Sequence, residues 1–276
     1  MNRVLLHHNF KKESIEAKGV LMRKMIEAGI DIVEENPDLV VVIGGDGTML
    51  SAIRKMKKLK IPFVGINTGT LGFLPSFHVD EMDRLIQVIK EESYTLQGYP
   101  LLKVICKTIT GQSIEKFAFN EVLIKHLEPR LMEAMIYIDK EAFNYFTGDG
   151  FIISTPIGAT GYAIWAGGAA MHSELPVYQL TPLSPNDNSV NRPLMSSMVL
   201  PIDSTLDINV IKSHSREVIV ACDGLKVSND YISEIHVMAA HKEIEILRDK
   251  KYSYYELYRK KIIDKNMVRG VECLKD

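Results

Sequence analysis

Residues 39–48 read Leu39-Val40-Val41-Val42-Ile43-Gly44-Gly45-Asp46-Gly47-Thr48, and this change from branched apolar residues to glycines sets the fold around it. The apolar run predicts a buried strand, and Met49–Ile53 resumes at helical spacing after the glycines. A strand, a tight loop and a helix N-terminus bring backbone N–H groups and the positive end of the helix dipole to one point, which suits a phosphate. We therefore predict a phosphate-binding loop. Its residues are Gly44, Gly45, Gly47 and Thr48.

The carboxylate of Asp46 is unexpected inside such a loop, because it repels the phosphate that the loop attracts. It is easier to explain as a group that acts on a neighbour of the phosphate, as a kinase for a hydroxyl acceptor requires. A plain strand-to-helix turn capped by Asp46 or Thr48 is the alternative, but three glycines in four positions exceed what that turn needs. The segment has neither the Gly-Lys-Ser/Thr of a P-loop nor the spacing of the dinucleotide fingerprint.

The composition is that of an ordinary globular protein, and the length of 276 residues suits one large domain or two modest ones. A formal charge of −2 gives no basic excess for nucleic acid or an anionic membrane. No apolar run approaches the roughly 20 residues that cross a bilayer. The three cysteines are far apart and form no CxxC pair, which predicts reduced thiols in a cytoplasmic protein. They are Cys106, Cys222 and Cys273.

The pattern of apolar residues divides the chain into parts of different character. Over residues 1–98 predicted strands and helices alternate, which favours an α/β domain with a parallel sheet. Ligands in such sheets bind at the C-terminal ends of strands. Both the Gly44–Thr48 loop and the Asn67–Gly72 loop follow predicted strand ends, so we expect them to line one crevice.

From residue 99 to residue 250 the sequence predicts many short strands, which indicates a β-rich, sandwich-like domain. One short helix is predicted over Gly161–Met171, with Ala163, Ala166 and Ala170 as its packing residues. Residues 251–276 are predicted as a mostly helical tail that packs back on the first domain. The basic residues from Arg248 to Lys261 are predicted to lie on a solvated helix face.

Further polar groups occur in the predicted β-rich part. Asn120-Glu121 precedes an apolar strand, and in isolation such a pair usually occupies a solvated turn. In Gly148–Tyr162 two glycine-rich loops bracket a strand, and the hydroxyls of this segment suit the edges of a ribose or an adenine. Those hydroxyls belong to Ser154, Thr155, Thr160 and Tyr162. Asp223-Gly224 has the form of an ordinary turn.

Taken in this order, these segments resemble the NAD kinase family. Gly44–Thr48 matches its GGDGT signature, and residues 67–74 resemble its NxGxxGFL motif. Asn120-Glu121 resembles its Asn-Glu pair, and Asp149–Tyr162 resembles its long DGxxxSTPxGSTAY signature. The departures from that signature are Ala159 in place of Ser and Gly161 in place of Ala. The likeness runs over nearly the whole chain.

The resemblance implies transfer of a phosphoryl group from ATP to the 2′-hydroxyl of the adenosine ribose of NAD, which gives NADP. It implies a site between the two domains and a homo-oligomer, either a dimer or a tetramer. Asp46 would orient the hydroxyl and accept its proton. Mg²⁺ or another divalent cation would be bound mostly by phosphate and water, because no carboxylate cage is visible in the sequence. The residues expected to bind NAD are Phe73, Asn120, Glu121, Asp149, Thr160, Tyr162 and Asp223.

Two other interpretations stay open from the sequence. Lipid kinases of the diacylglycerol or sphingosine type resemble the chain at Gly44–Thr48, but their Asn-Glu pair follows that loop directly, whereas here Asn120-Glu121 lies far downstream. A non-catalytic NAD(P)-binding sensor could keep the same fold, although the presence of Asp46 favours an enzyme.

Overall fold

The computed structural model describes residues 1–57, 60–69, 72–187, 192–211 and 217–264. Outside these ranges lie Thr70 and Leu71 of the Asn67–Gly72 loop, Cys273, and the predicted tail beyond residue 264. The chain forms two compact units, one of Met1–Gly98 with the chain from Ile244 onward, the other of Tyr99–Glu243. The second unit thus ends before residue 250, the predicted end of the β-rich domain, because one long strand continues from it into the first unit.

The first unit begins with alternating strands and helices, as the sequence predicts. They are β1 (Arg3–His8), α1 (Lys12–Glu27), β2 (Asp31–Ile32), β3 (Leu39–Ile43), α2 (Asp46–Met56), β4 (Phe63–Asn67), β5 (Phe77–His78) and α3 (Met82–Lys90), the last after a 3-10 turn at Val79–Glu81. Strands β2, β1, β3 and β4 lie side by side in that order and are all parallel. The α/β class of this unit is therefore confirmed.

The rest of the chain is dominated by strands. The strands are β6 (Tyr94–Thr108), β7 (Ser113–Ala118), β8 (Glu121–His126), β9 (Met132–Ile138), β10 (Glu141–Gly148), β11 (Gly150–Ser154), β12 (Val177–Leu183), β13 (Met198–Pro201), β14 (Leu206–Val210), β15 (Val218–Cys222), β16 (Leu225–Lys226) and β17 (Ile232–Asp249). The helices are α4 (Tyr162–Trp165) and α5 (Tyr254–Tyr258), with a 3-10 turn at Gly158–Thr160 and a π-helical turn at Arg259–Ile263.

Two groups of antiparallel strands build the second unit. One follows the order β13-β12-β11-β8-β15-β16, and the other contains β10, β9, β14 and the first part of β17. Fully buried apolar side chains from both groups, such as Phe151 on β11 and Ile208 on β14, belong to one core cluster. The predicted β-rich, sandwich-like class is therefore confirmed.

Two predicted features differ from the structure. The helix expected within Gly161–Met171 ends at Trp165, because Gly167 adopts a positive φ of 85° and the N–H of Gly168 bonds back to the carbonyl of Ala163. Arg248 was predicted on a solvated helix face, but it lies on β17 with 1% of its surface exposed. Of the tail predicted as helical over residues 251–276, the described part contains α5 and the π-helical turn.

Candidate active site

The ends of three parallel strands bring the glycine loop into contact with its neighbours. His8 at the end of β1 pairs with Ile43 at the end of β3, and the N–H of Gly44 donates to the carbonyl of Ile66 on β4 at 2.8 Å. Asn9 Nδ2 donates to Thr48 Oγ1 at 2.9 Å. The loop is thereby fixed from both sides, as expected for ligand loops at the C-terminal edge of a parallel sheet.

The three glycines of this loop have different structural reasons. Gly44 adopts a φ of 147°, and a Cβ there would overlap the Thr48 hydroxyl, so the fold itself requires glycine. Among the described residues, a Cβ on Gly47 would meet no atom within 4 Å, and one on Gly45 would make only ordinary contact. Because the described structure does not demand glycine at those two positions, a close approach by something other than the protein explains them better.

Helix α2 begins at Asp46, with Gly45 as the N-cap and without a side-chain cap. The plain turn capped by Asp46 or Thr48 is therefore wrong. The N–H of Thr48 donates to the Gly45 carbonyl at 2.9 Å. Among the described residues, the N–H groups of Gly45 and Gly47 have no hydrogen-bond acceptor, as is usual in the first turn of a helix. The N–H groups that the predicted phosphate-binding loop could offer to a ligand are thus those of Gly45 and Gly47, because that of Thr48 is already bonded.

The Asp46 carboxylate is held by the backbone that directly follows the Asn67–Gly72 loop. Its Oδ2 accepts the N–H of Phe73 and its Oδ1 accepts the N–H of Leu74, each at 3.1 Å. We call these two hydrogen bonds the Asp46 clasp. A Cβ on Gly72 would overlap Oδ1, so the clasp can form only because residue 72 has no side chain. The two bonds fix the direction of the carboxylate, which sequence reasoning could not foresee because the partners lie 27 and 28 residues away.

Phe73, predicted to border the adenine pocket, is half-buried, and its ring lies 6.5 Å from the ring of Tyr258 on α5. Tyr258 was not singled out by the sequence. The available signal was the helical spacing of Tyr254, Leu257 and Tyr258, which places Tyr258 on the same face as two buried residues.

In the second unit, Asn120 and Glu121 lie where β7 turns into β8, and they present polar oxygens without protein partners. Among the described residues, Asn120 Oδ1, Glu121 Oε2 and Ser154 Oγ are buried and have no hydrogen-bond partner. Glu121 and Ser154 are paired across β8 and β11. Buried polar atoms are almost always satisfied, so this cluster indicates a polar ligand.

The Asn120-Glu121 turn is held in place by Asp223. Its carboxylate accepts the N–H groups of Phe119, Asn120 and Glu121 at 2.8, 2.7 and 3.2 Å. Asp223 itself has a positive φ of 47°, so the tight turn predicted for Asp223-Gly224 is present. Both carboxylate oxygens of Asp223 thus accept backbone N–H groups, and the residue supports the turn.

The hydroxyls of the long signature divide into two groups. Thr155 Oγ1 donates to the Phe119 carbonyl at 2.7 Å, and Thr160 Oγ1 donates to the Ile157 carbonyl at 3.2 Å. Ser154 Oγ is the buried atom without a partner, whereas Tyr162 is 49% exposed at the start of α4. The hydroxyls of Thr155 and Thr160 therefore close the loop, whereas the Ser154 hydroxyl is enclosed and Tyr162 lies partly at the surface.

Two glycines shape the space beside Asn120 and Glu121. A Cβ on Gly158 would overlap the Asn120 carbonyl oxygen, so the turn can close only with glycine there. A Cβ on Gly161 would lie 3.1 Å from Glu121 Oε2, so its absence leaves room next to that oxygen. Asp149, the last predicted NAD contact, is exposed between β10 and β11.

Burial raises the pKa of Glu121 from 4.5 to about 7, and the negative charge of Asp223 adds to that increase. A carboxyl group with a pKa near neutrality is common at functional sites. At pH 7 the group is divided between a neutral form that donates a hydrogen bond and an ionised form that only accepts.

The described residues hold no group of three or more His, Cys, Asp and Glu side chains that could bind a metal ion. Both oxygens of Asp46 accept backbone N–H groups, and the Thr48 hydroxyl accepts from Asn9. This donor set fits a cation that arrives with phosphate and water as its main ligands. No helix among the described residues has both the length and the apolar character to cross a membrane.

Solved structures define the class of protein to which this fold corresponds. Yeast NADH kinase complexed with NADH superposes with a TM-score of 0.82 at 19% identity, covering 100% of this chain and 90% of that one. An NAD kinase from Archaeoglobus fulgidus in complex with ATP gives a TM-score of 0.70 at 24% identity, covering 90% of this chain and 94% of that one. The fold is that of the NAD(H) kinases.

Sequence relatives identify the family. Residues 2–94 match the ATP-NAD kinase N-terminal domain, and residues 119–248 match the ATP-NAD kinase C-terminal domain. The NAD kinase of Lactobacillus johnsonii is 31% identical over 260 residues, 94% of this chain and 95% of the relative. The NAD kinase of Streptococcus gordonii is 35% identical over 208 residues, 75% of this chain and 76% of the relative. The chain belongs to the NAD kinase family.

Proposed function

We propose that this protein phosphorylates the 2′-hydroxyl of the adenosine ribose of NAD with ATP and so forms NADP. The observation that carries the proposal is the pairing of two unlike features in a member of the NAD kinase family. Within the part of the chain that the structure describes, one is a glycine loop around Asp46 whose Gly45 and Gly47 N–H groups have no acceptor, and the other is a set of buried oxygens without partners on Asn120, Glu121 and Ser154.

The backbone of Gly45 and Gly47 would bind the phosphates of ATP, with Gly44 and Thr48 shaping the loop. Unbonded N–H groups at the start of a helix of 11 residues favour negative charge, and the absence of side chains lets a phosphate approach closely. Mg²⁺ would accompany the nucleotide and neutralise charge that develops on the phosphates.

The oxygens at Asn120 and Glu121 would bind the adenosine part of NAD, because they are acceptors for which the described residues supply no donor. A ribose hydroxyl or an exocyclic amine supplies such donors. Thr160, Tyr162 and Phe73 would help to seat the adenosine half, and Asp149 would contact the nicotinamide end. Asp223 would contribute by holding the turn, since its carboxylate already accepts three N–H groups.

Asp46 would orient the acceptor hydroxyl and accept its proton as the bond to phosphorus forms. Positioning is the larger contribution in phosphoryl transfer, and the clasp by Phe73 and Leu74 gives the carboxylate a fixed direction.

We further propose a cytoplasmic homo-oligomer that binds neither nucleic acid nor membrane.

The direct test is incubation of the protein with NAD, ATP and Mg²⁺ while NADP formation is followed. We expect NADP, and we expect Asp46→Asn to lower turnover by about 10²-fold or more while NAD affinity stays within a few-fold. The single tryptophan, Trp165, lies near Tyr162 on α4 and offers a fluorescence signal for NAD binding. Tight NAD binding without NADP formation would contradict the enzyme and favour a sensor, and phosphorylation of a lipid would favour a lipid kinase.

A further inference from the structure

Arg248 is the largest fully buried side chain among the described residues, at 1% exposure. It lies near the end of β17, in the part of that strand that belongs to the first unit. Its guanidinium group is 4.5 Å from the centre of the Tyr252 ring. Burial of a cation is costly unless its donors are used, so the groups it binds indicate its purpose.

The guanidinium group binds the carbonyl side of the segment that clasps Asp46. Arg248 Nη1 donates to the carbonyl of Leu74 at 2.9 Å and to Ser76 Oγ at 3.2 Å, and Nη2 makes a longer contact of 3.4 Å with the carbonyl of Phe73. The N–H groups of the same two residues, Phe73 and Leu74, donate to the Asp46 carboxylate.

One peptide unit therefore lies between the two charges. The Phe73 carbonyl that faces Arg248 and the Leu74 N–H that binds Asp46 Oδ1 belong to the same peptide group. A cation at the carbonyl polarises the amide and strengthens the hydrogen bond that its N–H donates. The bond to the Leu74 carbonyl fixes the next peptide unit, which has no N–H because residue 75 is proline.

Ser76 adds a second anchor to the same arrangement. Its hydroxyl accepts from Arg248 Nη1 and donates to the carbonyl of Leu247 at 2.7 Å, so the 73–76 segment is tied to β17 at several points. A planar guanidinium group can bind two carbonyls and a hydroxyl together, whereas a lysine ammonium at the end of a flexible stem cannot reproduce that geometry.

We propose that Arg248 is a positioning residue that sets the direction of the Asp46 carboxylate through the Phe73–Leu74 segment. The proposal rests on the proposed function, in which Asp46 orients the acceptor hydroxyl, and it adds a residue that touches neither substrate. A misplacement of about 1 Å at a reacting group can cost about 10²-fold in rate.

The test is steady-state kinetics of Arg248→Lys, with Arg84→Lys as the matched control. Arg84 pairs with Asp249, the neighbour of Arg248 on β17, at 2.9 Å, and among the described residues its hydrogen bonds go to Asp249 and Gln87 and not to residues 73–76. We expect Arg248→Lys to lower kcat by about 10- to 100-fold while KM for NAD and ATP stays within about three-fold. Arg84→Lys should leave kcat within about two-fold. Equal kcat in both variants and the native protein would overturn the proposal.

A double-mutant cycle separates positioning from general loss of structure. If Arg248 acts through Asp46, Arg248→Lys should lower kcat much less in an Asp46→Asn background than in the native protein. Fully additive losses would contradict the proposal even though Asp46 itself remained important. If Asp46→Asn had normal turnover, the assigned role of Asp46 would fail instead.

Amide hydrogen exchange, measured by NMR, tests the clasp without any turnover. We expect the Phe73 and Leu74 amides to exchange about 10-fold faster in Arg248→Lys than in the native protein and to be unchanged in Arg84→Lys. Unchanged exchange in Arg248→Lys would refute the inference whatever the protein phosphorylates, so this outcome is distinct from failure of the proposed function.

Discussion

At the scale of single residues, the carboxylate of Asp46 depends on a neighbour that has no side chain. Its two hydrogen bonds to Phe73 and Leu74 are possible because Gly72 leaves the space that Oδ1 occupies. The sequence predicted that the Asn67–Gly72 loop lines the same crevice as Gly44–Thr48. The end of that loop and the two residues after it hold Asp46 in position.

We expect Gly72→Ala to displace the Asp46 carboxylate, because the new Cβ would overlap Oδ1. The free energy of unfolding should fall by about 1–3 kcal/mol, and turnover by about 10²-fold, with KM for NAD little changed. Gly69→Ala is the control, since a Cβ there meets no atom of the described residues within 4 Å. Equal turnover of the two variants, measured as NADP formation, would show that the clasp is not needed.

Glu121 gives the stability of the protein a pH dependence with a definite sign. Burial first, and then the charge of Asp223, raise its pKa from 4.5 to about 7 in the folded protein. The folded state then binds more protons than the unfolded state between these values, so the free energy of unfolding falls as the pH rises through this range. The shift from 4.5 to about 7 corresponds to about 3 kcal/mol.

Glu121→Gln should remove this dependence, because glutamine cannot ionise. Denaturant titrations at about pH 4 and about pH 8 should show the variant gaining about 3 kcal/mol relative to the native protein at the higher pH. Glu141→Gln, at an exposed position of the same unit, should behave like the native protein at both values. A constant difference between Glu121→Gln and the native protein across this range would argue against a raised pKa.

At the scale of elements, the turn into β8 is stabilised by the turn that follows β15. These two strands are antiparallel neighbours, which places Asp223 beside the backbone of residues 119–121. Hydrogen bonds from N–H groups to a carboxylate contribute more than neutral ones, about 1.5–3 kcal/mol each. Asn120 and Glu121, whose buried oxygens have no partner among the described residues, therefore lie on a turn that a third residue holds in place.

Asp223→Asn tests this support, because asparagine tolerates the same positive φ but carries no charge. We expect the free energy of unfolding to fall by about 1–3 kcal/mol and NAD to bind more weakly, with kcat less affected. Removal of the charge should also lower the pKa of Glu121, although burial, the larger cause, remains. Asp230→Asn is the control, since Asp230 likewise accepts a backbone N–H in this unit, from Tyr231. NAD affinity can be measured by Trp165 fluorescence. If Asp223→Asn bound NAD as tightly as the native protein, the role of Asp223 would be structural.

At the scale of the whole molecule, the prediction of a dimer or a tetramer can be measured directly. Light scattering after size exclusion should give two or four times the chain mass of 31.1 kDa. Addition of NAD and of ATP with Mg²⁺ should raise Tm, because ligands that bind only the folded state stabilise it. A species of one chain mass at assay concentration would contradict the proposed assembly.

The sequence by itself determined the strand, loop and helix around Asp46, the α/β and β-rich character of the two parts, and the family. These features follow from apolar spacing and glycine placement, which act over a few residues and can be read locally. It did not define the length of α4, where the helix pattern was cut short by Gly167 and Gly168.

Only the tertiary structure decided which groups hold the residues of the candidate site in place. Asp46 meets amides 27 and 28 residues away, Asp223 meets amides more than 100 residues away, and Arg248 reaches the Leu74 carbonyl over 174 residues. Such hydrogen bonds depend on how strands are ordered in a sheet, which local spacing does not encode. For that reason a basic residue that looked solvated became the buried support of the proposed catalytic carboxylate.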